Sequence, residues 1–145
     1  MPNIEKIKKY KKIHMVGIGG VSMSGIAEIL HNWGFEVTGS SNEETDVTEK
    51  LKQTGIKVII GHKPENVIGS DVVVYTAAVK SDNVELQKAK ELNIPIVERS
   101  TFLGELTRCY TDTITVAGTH GKSTTTSMVS LCFLEALKDP SIQVG

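Results

Sequence analysis

Ile13-His14-Met15-Val16-Gly17-Ile18-Gly19-Gly20-Val21-Ser22-Met23-Ser24-Gly25 runs from a short apolar segment, through closely spaced glycines, into a helical pattern. Met23, Ile26, Ala27, Leu30 and Trp33 recur at the spacing of one helix face. Gly34 suits the position just past the end of that helix. Phe35 to Gly39 then reads as a second strand, which makes a βαβ unit opened by a glycine turn, the Rossmann-type arrangement. Backbone amides at such a turn, with the helix N-terminus behind them, receive an anion, so Gly17, Gly19 and Gly20 are candidates for a pyrophosphate. The third position of the G-x-G-x-x-G pattern holds Ser22. The end of the second strand offers Thr38, Gly39, Ser40 and Ser41 where a nicotinamide cofactor's ribose meets Asp or Glu. No Arg stands there for a 2′-phosphate. The turn suits a pyrophosphate other than that of NAD; the plainer alternative is glycines that serve close packing alone.

Further along, strands and helices keep alternating. Asp46 to Thr54 reads as a short helix, with Asp46 and Glu49 at capping-box spacing and Gly55 closing it. Ile56 to Ile60 is a third strand ending in Gly61-His62, and Asp71 to Tyr75 a fourth ending in Thr76-Ala77-Ala78-Val79. Asp82 and Glu85 again have N-cap and N3 spacing, for a helix reaching about Leu92. Pro95 to Val97 is a brief fifth strand, and Ser100 is placed to cap a helix through Phe102, Leu103 and Leu106. This alternation predicts an α/β fold with a doubly wound, mainly parallel sheet. Right-handed crossovers then bring the loops at Gly17–Ser22, Ser40–Ser41, Gly61–His62 and Thr76–Val79 to one rim. If the strand order reverses between the first and fourth strands, two of these loops flank a ligand crevice. His62 on that rim is a candidate for a base or ribose contact, whereas His14 and His31 read as structural. Arg99 and Arg108 are either anion contacts or solvated helix ends.

A second glycine loop follows a hinge at about 107–112. Ile114 to Ala117 reads as a strand, Gly118-Thr119-His120-Gly121-Lys122-Ser123-Thr124 as a phosphate loop, and Lys122 to about Leu137 as a helix. Lys122 would neutralise β- and γ-phosphate charge, and a following hydroxyl would hold Mg²⁺. The spacing departs from the ordinary Walker form, since only Thr119 and His120 separate the two glycines. The helix is apolar on nearly every side, through Met128, Val129, Leu131, Cys132, Phe133, Leu134 and Leu137, which predicts burial. It would fold back on the first unit or exchange with a neighbouring chain in a homodimer.

Bulk properties narrow the function classes. With 145 residues, 39% hydrophobic and 23% charged, the chain can bury a core of about one domain. A formal net charge of -1 gives no whole-chain attraction to nucleic acid or an anionic membrane. No segment approaches the roughly 20 apolar residues of a membrane span. Cys109 and Cys132 lack metal-ligand spacing and read as buried free thiols, which predicts a reducing, cytoplasmic setting.

Taken together, Gly17-Ile18-Gly19-Gly20-Val21-Ser22-Met23-Ser24-Gly25-Ile26-Ala27 and Gly118-Thr119-His120-Gly121-Lys122-Ser123-Thr124-Thr125-Thr126, about a hundred residues apart, resemble the Mur ligases of peptidoglycan synthesis. Thr76 to Asn83, Gly61-His62 and Ile94 to Arg99 are similar to the same family. The resemblance implies a Rossmann-like UDP-substrate unit over 1–111 and the start of a central ATP-binding unit over 112–145, in an amino-terminal part of a longer enzyme. It implies UDP-N-acetylmuramate and L-alanine as substrates, ATP and Mg²⁺ as cofactors, and amide formation through an acyl phosphate. Gly17, Gly19, Gly20, Val21, Ser22, Ser40, His62, Thr76, Ala77 and Ala78 would meet the UDP-sugar. Gly118 to Thr124 would meet ATP, with Lys122 catalytic and Ser123 or Thr124 on Mg²⁺. Ser22 stands where the family usually has glycine and Ser41 where it often has aspartate. The chain alone is expected to bind the UDP-sugar without catalysis. A Rossmann-type NAD(P)-dependent oxidoreductase and a non-catalytic nucleotide-binding module are the competing readings.

Overall fold

The computed structural model describes residues 4–144. Five parallel strands form one sheet: β1 (Lys12–Val16), β2 (Glu36–Ser41), β3 (Lys57–Ile60), β4 (Val72–Tyr75) and β5 (Ile96–Glu98). Their order is β3-β2-β1-β4-β5, so the winding direction reverses between β1 and β4. Helices α1 (Val21–Asn32), α2 (Asp46–Gln53), α3 (Val84–Glu91) and α4 (Arg99–Thr107) connect or follow the strands, and α5 (Lys122–Glu135) lies beyond. The doubly wound Rossmann-like sheet expected from the alternation is present.

Strand alternation sorts the two faces. Ile13 and Met15 of β1, with Val72 and Val74 of β4, pack into a core shared with Met23, Ile26, Ala27 and Leu30 of α1, Leu51 of α2 and Phe102 and Leu106 of α4. Val16 and Val73 point the other way, against Leu86 and Ala89 of α3. Each buried aliphatic side chain of this size contributes roughly 1.5–3 kcal/mol of transfer free energy. The second face is not wholly apolar, however. His14 and Ser40 are completely buried, and so is Glu85 of α3.

Several local expectations are corrected. α2 is capped by Thr45, one residue earlier than Asp46; its side chain accepts from the Thr48 amide while Thr48 bonds back to the Thr45 amide. α3 begins after Asn83, whose Oδ1 accepts from the amides of Glu85 and Leu86. Glu85 is thereby displaced from the N3 role and turned inward. Ser100 does not cap α4; its hydroxyl donates to Glu98 at 2.9 Å, and Glu98 occupies the cap position without a side-chain bond. Gly34 and Gly55 do follow α1 and α2 with φ of 87° and 95°, the left-handed turn expected of helix-ending glycines.

Beyond residue 111 the expectations diverge further. The run 114–117 forms no strand among the described residues, and no strand beyond β5 joins the sheet there. α5 forms, but none of its residues is buried. Met128, Leu131 and Leu134 are 63%, 60% and 47% exposed, where burial was expected. Cys132 is likewise exposed, whereas Cys109 is buried. Contacts back to the first unit include Thr113 Oγ1, which donates to Thr107 O at 3.1 Å, and Gln143, whose Nε2 donates to the backbone oxygen and hydroxyl of Ser22 at 3.3 and 3.2 Å. No helix among the described residues is long and apolar enough to cross a membrane.

Candidate functional site

The reversal of strand order leaves the C-terminal ends of β1 and β4 side by side, with loops departing in opposite directions. A cavity of about 500 Å³ opens there, within the range of small-molecule sites. Of the residues expected to meet a UDP-sugar, Gly17, Gly19, Gly20, His62, Thr76 and Ala78 line it. The glycine turn is held from below. Ser40 O accepts from the amides of Gly17 and Ile18 at 2.9 and 3.0 Å, and Gly17 O accepts from the Gly20 amide at 3.2 Å. Gly20 then caps α1 with no side-chain hydrogen bond, so the first-turn amides face the turn uncapped, as an anion requires.

The other four expected residues are placed differently. Ser40 lies under the wall, completely buried. Val21 points outward, 70% exposed. Ala77 lines a separate depression of about 310 Å³ between β4, β5 and α3. Ser22 accepts from Arg99 Nη1 at 2.9 Å, which brings one of the two candidate arginines to the start of α1.

Sequence reasoning passed over several cavity residues: Asn42, Glu43 and Thr45 after β2, and Lys80, Asp82 and Asn83 after β4. It also passed over the group beneath them. The Glu85 carboxylate accepts four hydrogen bonds. Asn66 Nδ2 at 2.6 Å and His14 Nε2 at 3.3 Å reach Oε1, while Ser40 Oγ at 2.6 Å and His62 Nδ1 at 2.7 Å reach Oε2. His14 is braced in turn by Thr38 Oγ1, 2.8 Å from its Nδ1. Burial pushes the Glu85 carboxyl up, but donation from His14, Ser40, Asn66 and His62 outweighs it and holds the group at about 2. The available signal was the polar set His14 on β1 and Thr38 and Ser40, two residues apart, on β2, which requires a polar counterpart on the helix covering that face.

In the second loop, Gly121 is the N-cap of α5 with φ of 75° and ψ of 7°, a left-handed turn that leaves the first amides of α5 without a side-chain cap. Lys122 bends back so that Nζ donates to Gly118 O at 2.8 Å. Thr119, His120, Ser123 and Thr124 are exposed around it. Uncapped amides, a spanning lysine and open hydroxyls fit a polyphosphate. Among the described residues no group of three or more His, Cys, Asp or Glu could hold a metal ion. The ligands this loop could offer a Mg²⁺ are the hydroxyls of Ser123 and Thr124.

These features define an α/β unit of Rossmann-like fold, with a crevice at the switch point of the sheet. Residues 12–111 match the family model described as Mur ligase family, catalytic domain, and the chain belongs to that family. It is 55% identical over 137 residues to the UDP-N-acetylmuramate–L-alanine ligase of Acetivibrio thermocellus, a match covering 94% of this chain and 29% of the relative. The corresponding protein of Caldanaerobacter subterraneus is 50% identical over 139 residues, 96% of this chain and 30% of the relative. Among solved structures, the ligase MurC of Thermotoga maritima superimposes with a TM-score of 0.83 at 38% identity, covering 88% of this chain and 30% of that one. A UDP-N-acetylmuramate:L-alanyl-γ-D-glutamyl-meso-diaminopimelate ligase from Neisseria gives 0.80 at 32%, over 87% of this chain and 40% of that one. The chain thus spans about three-tenths of the length of the curated relatives it matches.

Proposed function

We propose that residues 1–111 bind UDP-N-acetylmuramate and that 112–145 open the ATP-binding unit of a UDP-N-acetylmuramate–L-alanine ligase. The intact enzyme forms an amide bond in the cytoplasmic synthesis of peptidoglycan precursors. The observation that carries this reading is the glycine turn at the switch point, open to a cavity of about 500 Å³, in a chain 55% identical to a ligase of that name. The diphosphate lies against Gly17, Gly19 and Gly20 at the start of α1, with Thr76, Ala78 and His62 around the remainder of the nucleotide-sugar. Val21, Ser22 and Ala77 flank this site, and Ser40 supports it from beneath.

ATP, held with Mg²⁺, would give its γ-phosphoryl group to the substrate carboxylate with loss of ADP, and the L-alanine amine would then displace inorganic phosphate from the acyl phosphate as the amide bond forms. Lys122 and the amides around Gly121 hold the transferred charge, and Ser123 or Thr124 offers a hydroxyl to the metal; catalysis at this loop is positioning and charge neutralisation. The exposed apolar side of α5 fits contact with further protein, either more of the ATP-binding body or a second copy of this chain.

Calorimetric titration of the 145-residue chain tests the reading. UDP-N-acetylmuramate should bind and be displaced by UDP, with no saturable heat from NADH. Adding ATP, Mg²⁺ and L-alanine should release phosphate only at background. Tighter binding of NADH than of UDP would overturn the nucleotide-sugar assignment, and turnover by this chain alone would overturn the division of labour.

A further inference from the structure

The buried carboxylate of Glu85 faces a cavity-lining histidine, and the established features of the fold do not require it. A charge with no water contact is costly unless fully paired. α3 could have covered β1 and β2 with an apolar residue at this point. The sheet instead supplies His14 and Ser40, and the loop after β3 supplies His62 and Asn66, so that each carboxylate oxygen has two donors.

We propose that Glu85 is a positioning residue for nucleotide-sugar binding, acting through His62. An ionised carboxylate only accepts hydrogen bonds, so His62 must present Nδ1–H to it. That proton is shared between Glu85 Oε2 at 2.7 Å and Ser40 Oγ at 3.0 Å. The ring is pinned by one edge, 19% exposed, and the nitrogen left for anything entering the cavity is Nε2, which has no hydrogen-bond partner among the described residues. Neutral imidazole with Nδ1–H carries its lone pair there. The carboxylate therefore converts a histidine of free tautomer into a fixed acceptor, the device by which a buried acid orients a working imidazole elsewhere.

What Nε2 accepts from follows from its place on the rim. The diphosphate belongs at the turn between β1 and α1, whereas His62 follows β3, two strands away across β2. The groups of a uridine nucleotide able to donate to it are the ribose hydroxyls and the ring N–H of the base. This inference rests on the nucleotide-sugar reading above, in that the ligand is a UDP compound. The Glu85–His62 link itself is testable without ligand.

Long-range ¹H–¹⁵N NMR of the imidazoles in the unliganded chain should show His62 as the Nδ1–H tautomer with a slowly exchanging, hydrogen-bonded proton. Glu85→Gln should shift it toward the Nε2–H form and weaken UDP binding about tenfold, the scale of one well-placed hydrogen bond. His62→Ala should weaken UDP binding similarly, and the double variant should be no weaker than His62→Ala alone. A wild-type Nε2–H tautomer, an unchanged tautomer in Glu85→Gln, or additive losses in the double variant would each overturn the proposal. The wild-type spectrum decides the matter even if Glu85→Gln does not fold. A chain with the Nδ1–H tautomer but no affinity for UDP would overturn the nucleotide-sugar reading while sustaining the link between the two residues.

Discussion

A Cβ built on Gly17 would stand 2.9 Å from Thr76 Cγ2, so the turn after β1 and the end of β4 meet at a point that only a hydrogen fits. Both residues line the crevice. Gly17 also has φ of 83°, which an L side chain rarely adopts. Gly17→Ala should cost about 1–3 kcal/mol in urea unfolding and weaken UDP-N-acetylmuramate at least about tenfold by displacing the turn's amides. Gly34→Ala is the control. It has φ of 87° but nothing within 4 Å of the new carbon, so it should show the strain without the loss of affinity.

Gly39 in β2 makes a different demand. Its Cβ would fall 2.6 Å from Ile18 Cβ and 2.7 Å from Met15 O, and a backbone oxygen within a paired strand cannot retreat. Gly39→Ala should destabilise by about 1–3 kcal/mol or more through overpacking, seen as a fall in the thermal midpoint.

Glu85 makes stability depend on acid. Folding lowers its carboxyl from 4.5 to about 2, so its stabilisation is fully present above pH 4.5 and is lost as the pH falls toward 2. The contribution is on the order of 3 kcal/mol. Urea midpoints should hardly change from this group between pH 7 and 5, then drop steeply below about pH 4.5. In Glu85→Gln that acid-dependent part should disappear; an identical slope in the variant would assign it to other carboxylates.

Lys122 carries no part of the fold. It is exposed, and its bond goes to the carbonyl of its own loop. Lys122→Met should leave stability within about 0.5 kcal/mol and UDP affinity unchanged, while abolishing any ATP binding seen by calorimetry. A parallel loss of UDP affinity would sink the separation of the two phosphate sites.

The thiols report on α5. Cys132 is exposed and Cys109 is 1% exposed. A thiol reagent should label one cysteine rapidly in the native chain and the second only on unfolding. Protection of Cys132 would show α5 covered in solution, and concentration dependence of that protection would show a second copy as the cover.

Much of the fold could be read directly from residue pattern. The glycine turn after Ile13–Val16, the one-sided helix from Met23 to Leu30 and the alternation of strand and helix all lie within a few residues of where they form, because each follows from local chain geometry and period. Cap assignments were less secure. Asp46 and Glu49, like Asp82 and Glu85, had the right spacing, but the caps fell to Thr45 and Asn83. Several hydroxyl and amide side chains compete for each helix start, and the packing of the helix against the sheet chooses among them.

By itself, the sequence determined that this protein is a doubly wound α/β chain with two glycine-built loops, since turns and periodicity are properties of neighbouring residues. Only the tertiary structure decided that Glu85 faces Ser40, His14 and His62, and that Ala77 lines a different depression from Thr76 and Ala78. It also decided that the apolar helix after Lys122 is exposed. Those outcomes depend on which strands become neighbours and what lies over each face, and local period does not name the partner in contacts 23, 45 and 71 positions apart.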